Sequence, residues 1–545
     1  MQASFPARKL ILAFATLAML AIAPVAGVAS ATAKGKGHEK PNVLVVMTDD
    51  MAASDVELMP NVRKLLVKKG TMFENAITNF SLCCPSRATF LTGQLAHNHG
   101  VVGNFWPYGW YGMGGRNNTI ASWLDDEGYD TAMVGKWLNG YGAKDGHGEV
   151  PAGFDTWRGL LDVSAYDYYN YVLNKDGKLK TWGDPDFAAK LVEMGHIQTV
   201  PNPEGFPNVI AERDRIFGPA PYDYWGAENA DEYSPDVTGK LTDKLLRKQK
   251  GSKKPFFMWW SPAAPHREDV ATSLMGRPGP DPRPPKRYAD DVARLELPTP
   301  PNFNEEDFSD KPSALTNAAT PLSESQVAGL REDFQGRAGS LMAVDDYVGE
   351  IVDTLADTGQ LKDTVIMFLS DNGWLQGQHR IPGDKFLPYE ESLRVPLIMR
   401  GPGIPKGQTI ETQVTNADLA PTIVDLTGAK ADRKMDGISL LDGMKKPKKL
   451  PERVLSIEAP EPLFSHPQFP VNRWDRPYSG VRTDRYTYVA WEETGEVELY
   501  DRRTDPYQLT NVASDPAYAE VRAELAAKAA ELRNCRGKAC NSVAP

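Results

Sequence analysis

Cysteine is scarce in this chain, with four residues among 545. Cys83 and Cys84 are adjacent, and no cysteines or histidines with zinc-ligand spacing surround them, which argues against a structural zinc site. Excess positive charge is also absent, since the formal net charge is -11. The chain is therefore not expected to bind nucleic acid, although a locally basic pocket for an anion remains compatible with its acidity.

Long apolar runs are missing beyond the N-terminus. One run, from Leu10 to Ala23, follows the basic pair Arg8 and Lys9 and precedes small residues at 29–33. This arrangement is typical of a signal peptide and short for a membrane span, although a retained single anchor is an alternative. We therefore predict a signal peptide over residues 1–33, a secreted or extracytoplasmic protein and no stable membrane span.

Export changes what the cysteines can do. Cys535 and Cys540 lie close together in the sequence, and in an oxidising compartment we expect them to form a disulfide. Cys83 and Cys84 could bridge each other only through a strained ring, so we expect both to stay unpaired. A structural role does not account for that pair.

Several short apolar runs end in polar residues. The run from Val43 to Met47 precedes Asp49 and Asp50, and similar predicted strands end near Lys136, near His266 and at Asp371 with Asn372. Helical patterns alternate with these strands, which predicts an α/β fold with a large, mainly parallel sheet flanked by helices. In such sheets ligands gather at the carboxyl ends of the strands.

A change in the pattern of predicted helices and strands divides the chain into two parts. Residues 40–445 carry the alternating pattern and are predicted to form the main α/β domain. Residues 446–545 predict a small antiparallel sheet with a C-terminal helix, as an α+β subdomain. Within the first of these ranges, residues 270–325 are rich in proline and charge, which predicts a long surface excursion. The aromatic stretch NFWPYGWYG at 104–112 could line a substrate cleft.

Four of the strand-end residues offer oxygen ligands: Asp49, Asp50, Asp371 and Asn372. Three carboxylates and one amide favour a hard cation, Ca²⁺ or Mg²⁺, over a metal that prefers sulfur. A capped helix or a solvated turn would explain either pair alone. The recurrence of the pattern after two apolar strands favours a metal site.

The stretch CCPSRATFLTG matches the Cys-x-Pro-Ser-Arg signature of the type I sulfatases, with Cys83 as the signature cysteine and Cys84 at the variable position. Other landmarks of the family are present in the family's order. VVMTDD precedes the signature, and after it come VGKW, PAAPH, LSDNG, DKFLPYEESLRVPLIMRGPG and ELYDRRTDPYQLTNVA. From about Pro41 to the C-terminal helix the sequence resembles this family. Its motifs are most similar to those of N-acetylglucosamine-6-sulfatases and arylsulfatases.

The resemblance implies an alkaline-phosphatase-like fold and a specific chemistry. In the family, a formylglycine-generating enzyme oxidises the signature cysteine, here Cys83, to formylglycine (3-oxoalanine). The hydrate of that aldehyde carries two hydroxyls on one carbon: one attacks sulfur and displaces the alcohol, and the other allows the aldehyde to re-form and expel sulfate. Release of sulfate from a sulfated sugar, such as a glycosaminoglycan, or from an aryl sulfate is the expected activity.

Further roles carry over by position. Asp49, Asp50, Asp371 and Asn372, together with the modified Cys83, look like the ligands of Ca²⁺, with Mg²⁺ less favoured. The other expected roles are Arg87 to orient the hydrate, Lys136 and Lys385 to bind sulfate, and His266 to protonate the leaving oxygen. His379 could contact substrate at the rim of the site.

One position departs from the family pattern. Many members read Lys-x-His after the glycine, and that histidine is assigned as the base for sulfate release. Here Leu138 stands at that position and Asn139 cannot act as a base, so the releasing base is not identified. His97 or His99 could lie near the site, or could pack behind the signature helix.

The sequence is compatible with two other functions. The first is a formylglycine-dependent phosphonate monoester or phosphodiester hydrolase of the same fold. The second is a carbohydrate-binding relative without activity, against which the intact cysteine, ligands and lysines argue. Two-metal phosphatases need additional His and Asp ligands, which the sequence motifs do not provide.

Overall fold

The computed structural model describes residues 40–104, 108–142, 148–183, 230–268, 282–460 and 476–543. The predicted signal peptide, part of the proline-rich stretch and part of the aromatic stretch at 104–112 lie outside the described residues. No helix in the described part of the chain combines the length and apolar character needed to cross a membrane.

Sixteen strands are described. They are β1 Asn42–Thr48, β2 Thr71–Phe73, β3 Ala76–Ile77, β4 Asp130–Lys136, β5 Thr156–Leu160, β6 Tyr171–Lys175, β7 Lys178–Trp182, β8 Phe256–Ser261, β9 Thr364–Ser370, β10 Leu397–Arg400, β11 Gln408–Ile410, β12 Val414–Thr415, β13 Leu455–Ala459, β14 Tyr478–Arg482, β15 Tyr486–Trp491 and β16 Val497–Asp501.

Eleven α-helices are described, several of them a single turn long. They are α1 Cys83–Thr92, α2 Ala96–His99, α3 Ile120–Asp126, α4 Ser234–Lys248, α5 Ala289–Val292, α6 Ser313–Ala318, α7 Glu324–Asp357, α8 Glu390–Leu393, α9 Leu419–Thr427, α10 Leu441–Lys445 and α11 Ala519–Leu532.

Ten strands form one large sheet, in the order β11-β2-β10-β9-β1-β8-β4-β5-β6-β7. The five central strands, from β9 to β5, are parallel to one another, whereas β10, β6 and β7 join them in antiparallel pairings. The carboxyl ends of β9, β1, β8 and β4 therefore lie side by side at one edge. This confirms the predicted large, mainly parallel sheet.

Both faces of the sheet are covered. Val43, Val45 and Met47 of β1 join one apolar cluster, with residues of α1, α3 and α9. Leu44 and Val46, which point the other way, join a second cluster dominated by α7. Alternate side chains of a strand face opposite sides of a sheet, so a continuous apolar strand needs a layer on each side. The near-continuous apolar run of β1 follows from this arrangement.

A separate four-stranded antiparallel sheet contains β13 to β16 in chain order. Helix α11 packs against it through Leu525, Ala529 and Leu532, in an apolar cluster that includes Val481 and Leu499. The predicted small antiparallel sheet with a C-terminal helix is confirmed. The boundary at residue 446 stays a prediction.

Some helix predictions need correction. The sequence MPNVRKLLVKKG from Met59 to Gly70 is typical of one helix that ends at the glycine, but it contains a π-helical turn, Val62–Leu66, and a 3₁₀ turn, Val67–Lys69. The sequence DDYVGEIVDTLADTG predicts a helix that begins at Asp345, but α7 begins at Glu324, where Ser323 caps it by accepting a hydrogen bond from the backbone amide of Gln326. Its glycines and polar residues hide the helical period from sequence inspection.

Candidate active site

The loops after β1 and β9 bring the oxygen-rich residues together. Thr48 and Ser370 are paired in the parallel register, so the residues that follow them are neighbours. The amide of Asp50 donates to Oδ1 of Asp371 at 3.1 Å, and Nδ2 of Asn372 donates to Oδ1 of Asp50 at 2.6 Å. Asp50 adopts a left-handed backbone conformation, with φ of 64°, which turns the chain sharply at the strand end.

Helix α1 presents its first residue to this edge. The Sγ atom of Cys83 lies 3.5 Å from Oδ1 of Asp49 and 3.9 Å from Oδ1 of Asp50. Nζ of Lys385 donates to the same sulfur at 3.0 Å. Cys84, the next residue, points elsewhere, since its sulfur contacts the carbonyl oxygen of Asn139 at 3.8 Å. Of the two adjacent cysteines, Cys83 is the one that faces the oxygen ligands.

Arg87 lies one helical turn after Cys83 and joins three strand ends. Its Nε donates to Oδ2 of Asp371 at 2.7 Å, and its Nη1 donates to the carbonyl oxygen of Lys136 and to Oγ of Ser261, each at 2.8 Å. The guanidinium is fully buried. A buried arginine with several fixed acceptors holds the loops after β9, β4 and β8 in one arrangement.

Two lysines pair with the two aspartates after β1. Nζ of Lys136 contacts Asp49, and Nζ of Lys385 contacts Asp50. Nε2 of His266 lies 3.4 Å from Oδ2 of Asp50, and its Nδ1 donates to the carbonyl oxygen of Arg267 at 2.6 Å. A backbone carbonyl can only accept, so Nδ1 carries a hydrogen and Nε2 is the nitrogen that faces the site.

Burial and charge shift the protonation of these groups. Burial alone would raise the pKa of Asp49 and Asp50, but Lys136 and Lys385 respectively, with His266, hold both pKa values below 3.8. Burial lowers the pKa of His266 to about 4. Burial also raises the pKa of Cys83 to about 12, against the two lysines, so the thiol stays protonated at neutral pH. An unmodified Cys83 is therefore a poor nucleophile.

The residues fit a hard cation. Among the described residues, Oδ2 of Asp50 and Oδ1 of Asn372 are buried and accept no hydrogen bond. Ligand atoms of Asp49, Asp50, Cys83 and His266 lie within 4.8 Å of one another. Buried oxygens without a donor are costly, and a bound cation would satisfy them.

Asp371 is placed differently from the other expected ligands. Its Oδ1 accepts from the amides of Asp50 and Asn372, and its Oδ2 accepts from Arg87. A carboxylate has further lone pairs, so these bonds do not exclude coordination. In this arrangement Asp371 also fixes the loops around it.

Two site residues were not found from the sequence. Arg337, in the middle of α7, donates from Nη1 to the carbonyl oxygen of Pro265 at 3.1 Å and from Nη2 to that of Asp50 at 2.5 Å. Tyr166 stacks on His266. An arginine between small residues in a helix that packs on the sheet is a weak signal for Arg337. Tyr166 stands in a tyrosine-rich loop that carries no comparable motif.

Three histidines lie away from these residues. The rim contact predicted for His379 is wrong for this structure, because the ring is fully buried, bonded to Glu305 at 2.7 Å and stacked on Tyr389. His99 contacts Oγ1 of Thr89 on the far side of α1. His97 bonds Glu458 and the carbonyl oxygen of Cys535. His99 therefore packs against the signature helix α1, whereas His97 contacts the C-terminal segment.

Other predicted features are also placed. Leu138 is buried in the apolar cluster beneath the sheet, where it contributes packing. Trp110, from the aromatic stretch expected to line a cleft, is fully buried and packs edge-on against Trp137. Cys535 and Cys540 are joined in a disulfide, and Cys83 and Cys84 are both free thiols.

Two protein-family models match the chain. The model described as Sulfatase matches residues 41–429. The model described as N-sulphoglucosamine sulphohydrolase, C-terminal, matches residues 377–535. The first match includes every strand of the ten-stranded sheet and all the site residues described above.

Named relatives align over most of the chain. N-acetylglucosamine-6-sulfatase from Homo sapiens is 29% identical, and the alignment covers 93% of this chain and 87% of the relative. Arylsulfatase from Chlamydomonas reinhardtii is also 29% identical, over 96% of this chain and 79% of the relative.

Solved structures share the fold. A structure whose title describes a complex with its substrate D-glucosamine-2-N,6-O-disulfate has a TM-score of 0.68 and 22% identity, and the match covers 91% of this chain and 97% of that one. A phosphonate monoester hydrolase from Silicibacter pomeroyi has a TM-score of 0.60 and 20% identity, over 91% of this chain and 96% of that one. At such identities the likeness concerns the fold alone.

Proposed function

The chain belongs to the sulfatase family, and from this premise we propose that it releases inorganic sulfate from sulfated sugars, with Cys83 as the precursor of a formylglycine nucleophile and with one bound Ca²⁺. Hydrolysis of sulfuric esters is the activity that the family and the named relatives support. The sugar, the modification and the ion are the proposal.

The convergence of three cationic side chains on Cys83 carries the proposal. Lys385 contacts its sulfur, Lys136 contacts Asp49 beside it, and Arg87 lies one helical turn away. Two lysines that can reach a tetrahedral anion stabilise charge on its oxygens, which grows as the ester bond breaks. A buried thiol with a raised pKa explains why such a site would need the cysteine to be modified.

The modified residue would supply the nucleophile, as the hydroxyl of an aldehyde hydrate, and the means of expelling sulfate afterwards. The ion would be held by Asp49, Asp50, Asn372 and Asp371 with the residue at position 83, and would supply charge stabilisation of oxygen anions. Lys136 and Lys385 would bind the sulfate oxygens that the ion does not reach.

His266 would deliver the proton to the leaving oxygen. Its Nε2 faces the aspartates and its Nδ1 is fixed on a backbone carbonyl, so one nitrogen is available for proton transfer. The resting pKa of about 4 means that the imidazole is neutral at first. A negatively charged ester bound beside it favours the protonated ring, because nearby negative charge raises the pKa of a histidine.

Location and domain organisation belong to the proposal as well. We propose export after removal of residues 1–33, maturation by a formylglycine-generating enzyme, and a division into residues 40–445 and 446–545. The family match over residues 377–535 crosses the proposed boundary at 445. The boundary therefore rests only on the change in sequence pattern at that point.

A sulfate-release assay tests the proposed function. Protein produced together with a formylglycine-generating enzyme should release sulfate from N-acetylglucosamine-6-sulfate or from an aryl sulfate, and the Cys83→Ala variant should release none. Cys84→Ala is the matched control, because its sulfur faces Asn139, and it should stay active. Equal rates for wild type and Cys83→Ala would contradict the proposal.

A further inference from the structure

Tyr166 lies against two of the groups expected to act in the reaction. Its ring is stacked on the imidazole of His266, with centroids 4.0 Å apart and an interplanar angle of 28°. Nζ of Lys136 lies 4.4 Å from the centroid of the same ring. Tyr166 comes from the loop between β5 and β6, whereas Lys136 ends β4 and His266 follows β8. One ring therefore contacts side chains from two other strand ends.

The hydroxyl of Tyr166 is anchored from the loop after β4. Nδ2 of Asn139 donates to the hydroxyl oxygen of Tyr166 at 2.5 Å and to Oδ1 of Asp162 at 3.1 Å. The backbone amide of Gly140 donates to Oδ2 of Asp162 at 2.7 Å. The network fixes the ring from behind, and it involves the residue next to Leu138, the position at which the expected histidine is missing.

We propose that Tyr166 is a positioning residue, which sets the plane of the His266 imidazole by stacking and holds the Lys136 ammonium by a cation–π contact. The inference rests on the proposed sulfatase reaction and goes beyond it, because none of the landmarks that carry the family resemblance contains Tyr166.

Stacking on Tyr166 fixes the orientation of the His266 imidazole. His266 has one fixed hydrogen bond, through Nδ1, about which its ring could still rotate. A stacked aromatic ring removes that freedom, and a ring face close to an ammonium group is attractive. Small errors in the direction of a proton donor cost large factors in rate, since proton transfer needs close and aligned atoms.

The test uses Tyr166→Phe and Tyr166→Leu. Phenylalanine keeps the ring and loses only the bond from Asn139, so its kcat/KM should stay close to the wild-type value. Leucine loses both ring contacts, and kcat/KM should fall about tenfold to a hundredfold on an alkyl or sugar sulfate, whose leaving group needs a proton. On an activated aryl sulfate, which needs no proton, the fall should be smaller and should reflect Lys136 alone.

Tyr169→Leu is the matched control. Tyr169 lies in the same loop, but its ring packs on Tyr233 and faces the guanidinium of Arg283, whereas the ring of Tyr166 packs on His266. Melting temperatures of all variants separate loss of fold from loss of position. A Tyr169→Leu variant that loses activity with the same substrate pattern as Tyr166→Leu would overturn the inference.

A double-mutant cycle gives the decisive reading. If Tyr166 acts through His266, the extra loss of Tyr166→Leu on poor leaving groups should vanish in the His266→Ala background. Additive losses, or a Phe variant as impaired as the Leu variant, would overturn the inference. A loss confined to KM for sugar sulfates, and retained in the His266→Ala background, would assign Tyr166 to sugar stacking and overturn it too.

These outcomes are separable from failure of the proposed function. Wild-type protein that carries the aldehyde but hydrolyses no sulfate ester would overturn the proposed function and this inference together. Active wild-type protein with an unchanged Tyr166→Leu variant would overturn only the inference.

Discussion

At the scale of single residues, the site is a set of buried opposite charges. Asp49, Asp50 and Asp371 face Lys136, Lys385 and Arg87, and all are at most a few per cent exposed. Removing one partner leaves the other buried without compensation, which is costly. Substitutions here should therefore affect both the fold and the reaction, and each test needs a stability measurement beside the activity.

The first prediction concerns the two cysteines. Peptide mass analysis of protein made with a formylglycine-generating enzyme should find an aldehyde at position 83 and an intact thiol at position 84, because Cys83 starts α1 and faces the aspartates. An aldehyde at position 84 alone would contradict the assignment.

The second prediction concerns the cation. Treatment with a chelator should abolish sulfate release, because it removes the cation that the carboxylates bind. Addition of Ca²⁺ should restore the activity. Metal affinity should weaken in acid as Asp49 and Asp50 take up protons, at a pH below the ordinary range of a carboxylate since their pKa values are lowered. A metal-free protein that retains its full rate in chelator would contradict the site.

The third prediction concerns proton delivery. His266→Ala should lose far more activity on a sulfate ester with a poor leaving group than on an activated phenyl sulfate, since only the former needs protonation. The readout is the dependence of kcat on the pKa of the leaving alcohol, which should steepen in the variant. Equal losses on both substrates would remove the acid role from His266.

At the scale of elements, the candidate site lies at the carboxyl ends of the strands, and the apolar packing that stabilises the fold lies along the two faces of the sheet. Apolar β-branched runs identified β1 and β9, and their terminal Asp and Asn residues followed directly from the sequence. Tyr166 and Arg337 were not predictable in this way, because each reaches the site through tertiary packing of a loop or helix that is distant in sequence. The rim position of His379 failed for the same reason: nothing local shows that Glu305 and Tyr389 enclose it.

The short helix α2 is tied to the C-terminal segment by His97. Its Nδ1 contacts Glu458 at 2.9 Å and its Nε2 contacts the carbonyl oxygen of Cys535 at 3.0 Å. Both partners only accept, so both ring nitrogens carry hydrogens and the ring is positively charged. Burial lowers the pKa of His97, but Glu458 and the carbonyl oxygen of Cys535 outweigh burial and raise it from 6.5 to about 9.

The fourth prediction follows from this pKa. The folded state holds the proton more tightly than the unfolded state, so the contribution of His97 to stability is complete below pH 6.5 and is lost as the pH rises through about 9. We expect a contribution of roughly 1 to 3 kcal/mol to the free energy of unfolding. Urea titrations of wild type and His97→Gln at a series of pH values measure it.

The comparison between the two proteins isolates the histidine from other titrating groups. Their difference in unfolding free energy should shrink towards high pH. A difference that stays constant across this range would show that Glu458 does not hold a charged His97.

At the scale of the whole described fold, the large sheet carries the candidate site at the carboxyl ends of its central strands. A second, smaller sheet packs against α11. The alternation of apolar runs and helical patterns predicted the large sheet, and the strand-like segments after residue 446 predicted the small one. They did not predict the length of α7 or the broken helix before β2, because those depend on packing against the sheet. The same fold also carries phosphonate ester hydrolysis in a solved structure, so the fold alone does not decide the substrate.

The most direct test compares the two ester classes on one leaving group. The fifth prediction is that wild-type protein carrying the aldehyde at position 83 will hydrolyse an aryl sulfate with a higher kcat/KM than the matching aryl phosphonate monoester or phosphodiester. The family model and the named relatives are sulfatases, and the three esters carry the same single negative charge, so the comparison tests recognition of the sulfate group itself. A clear preference for the phosphorus esters over every sulfate ester, in protein whose aldehyde has been verified, would contradict the account.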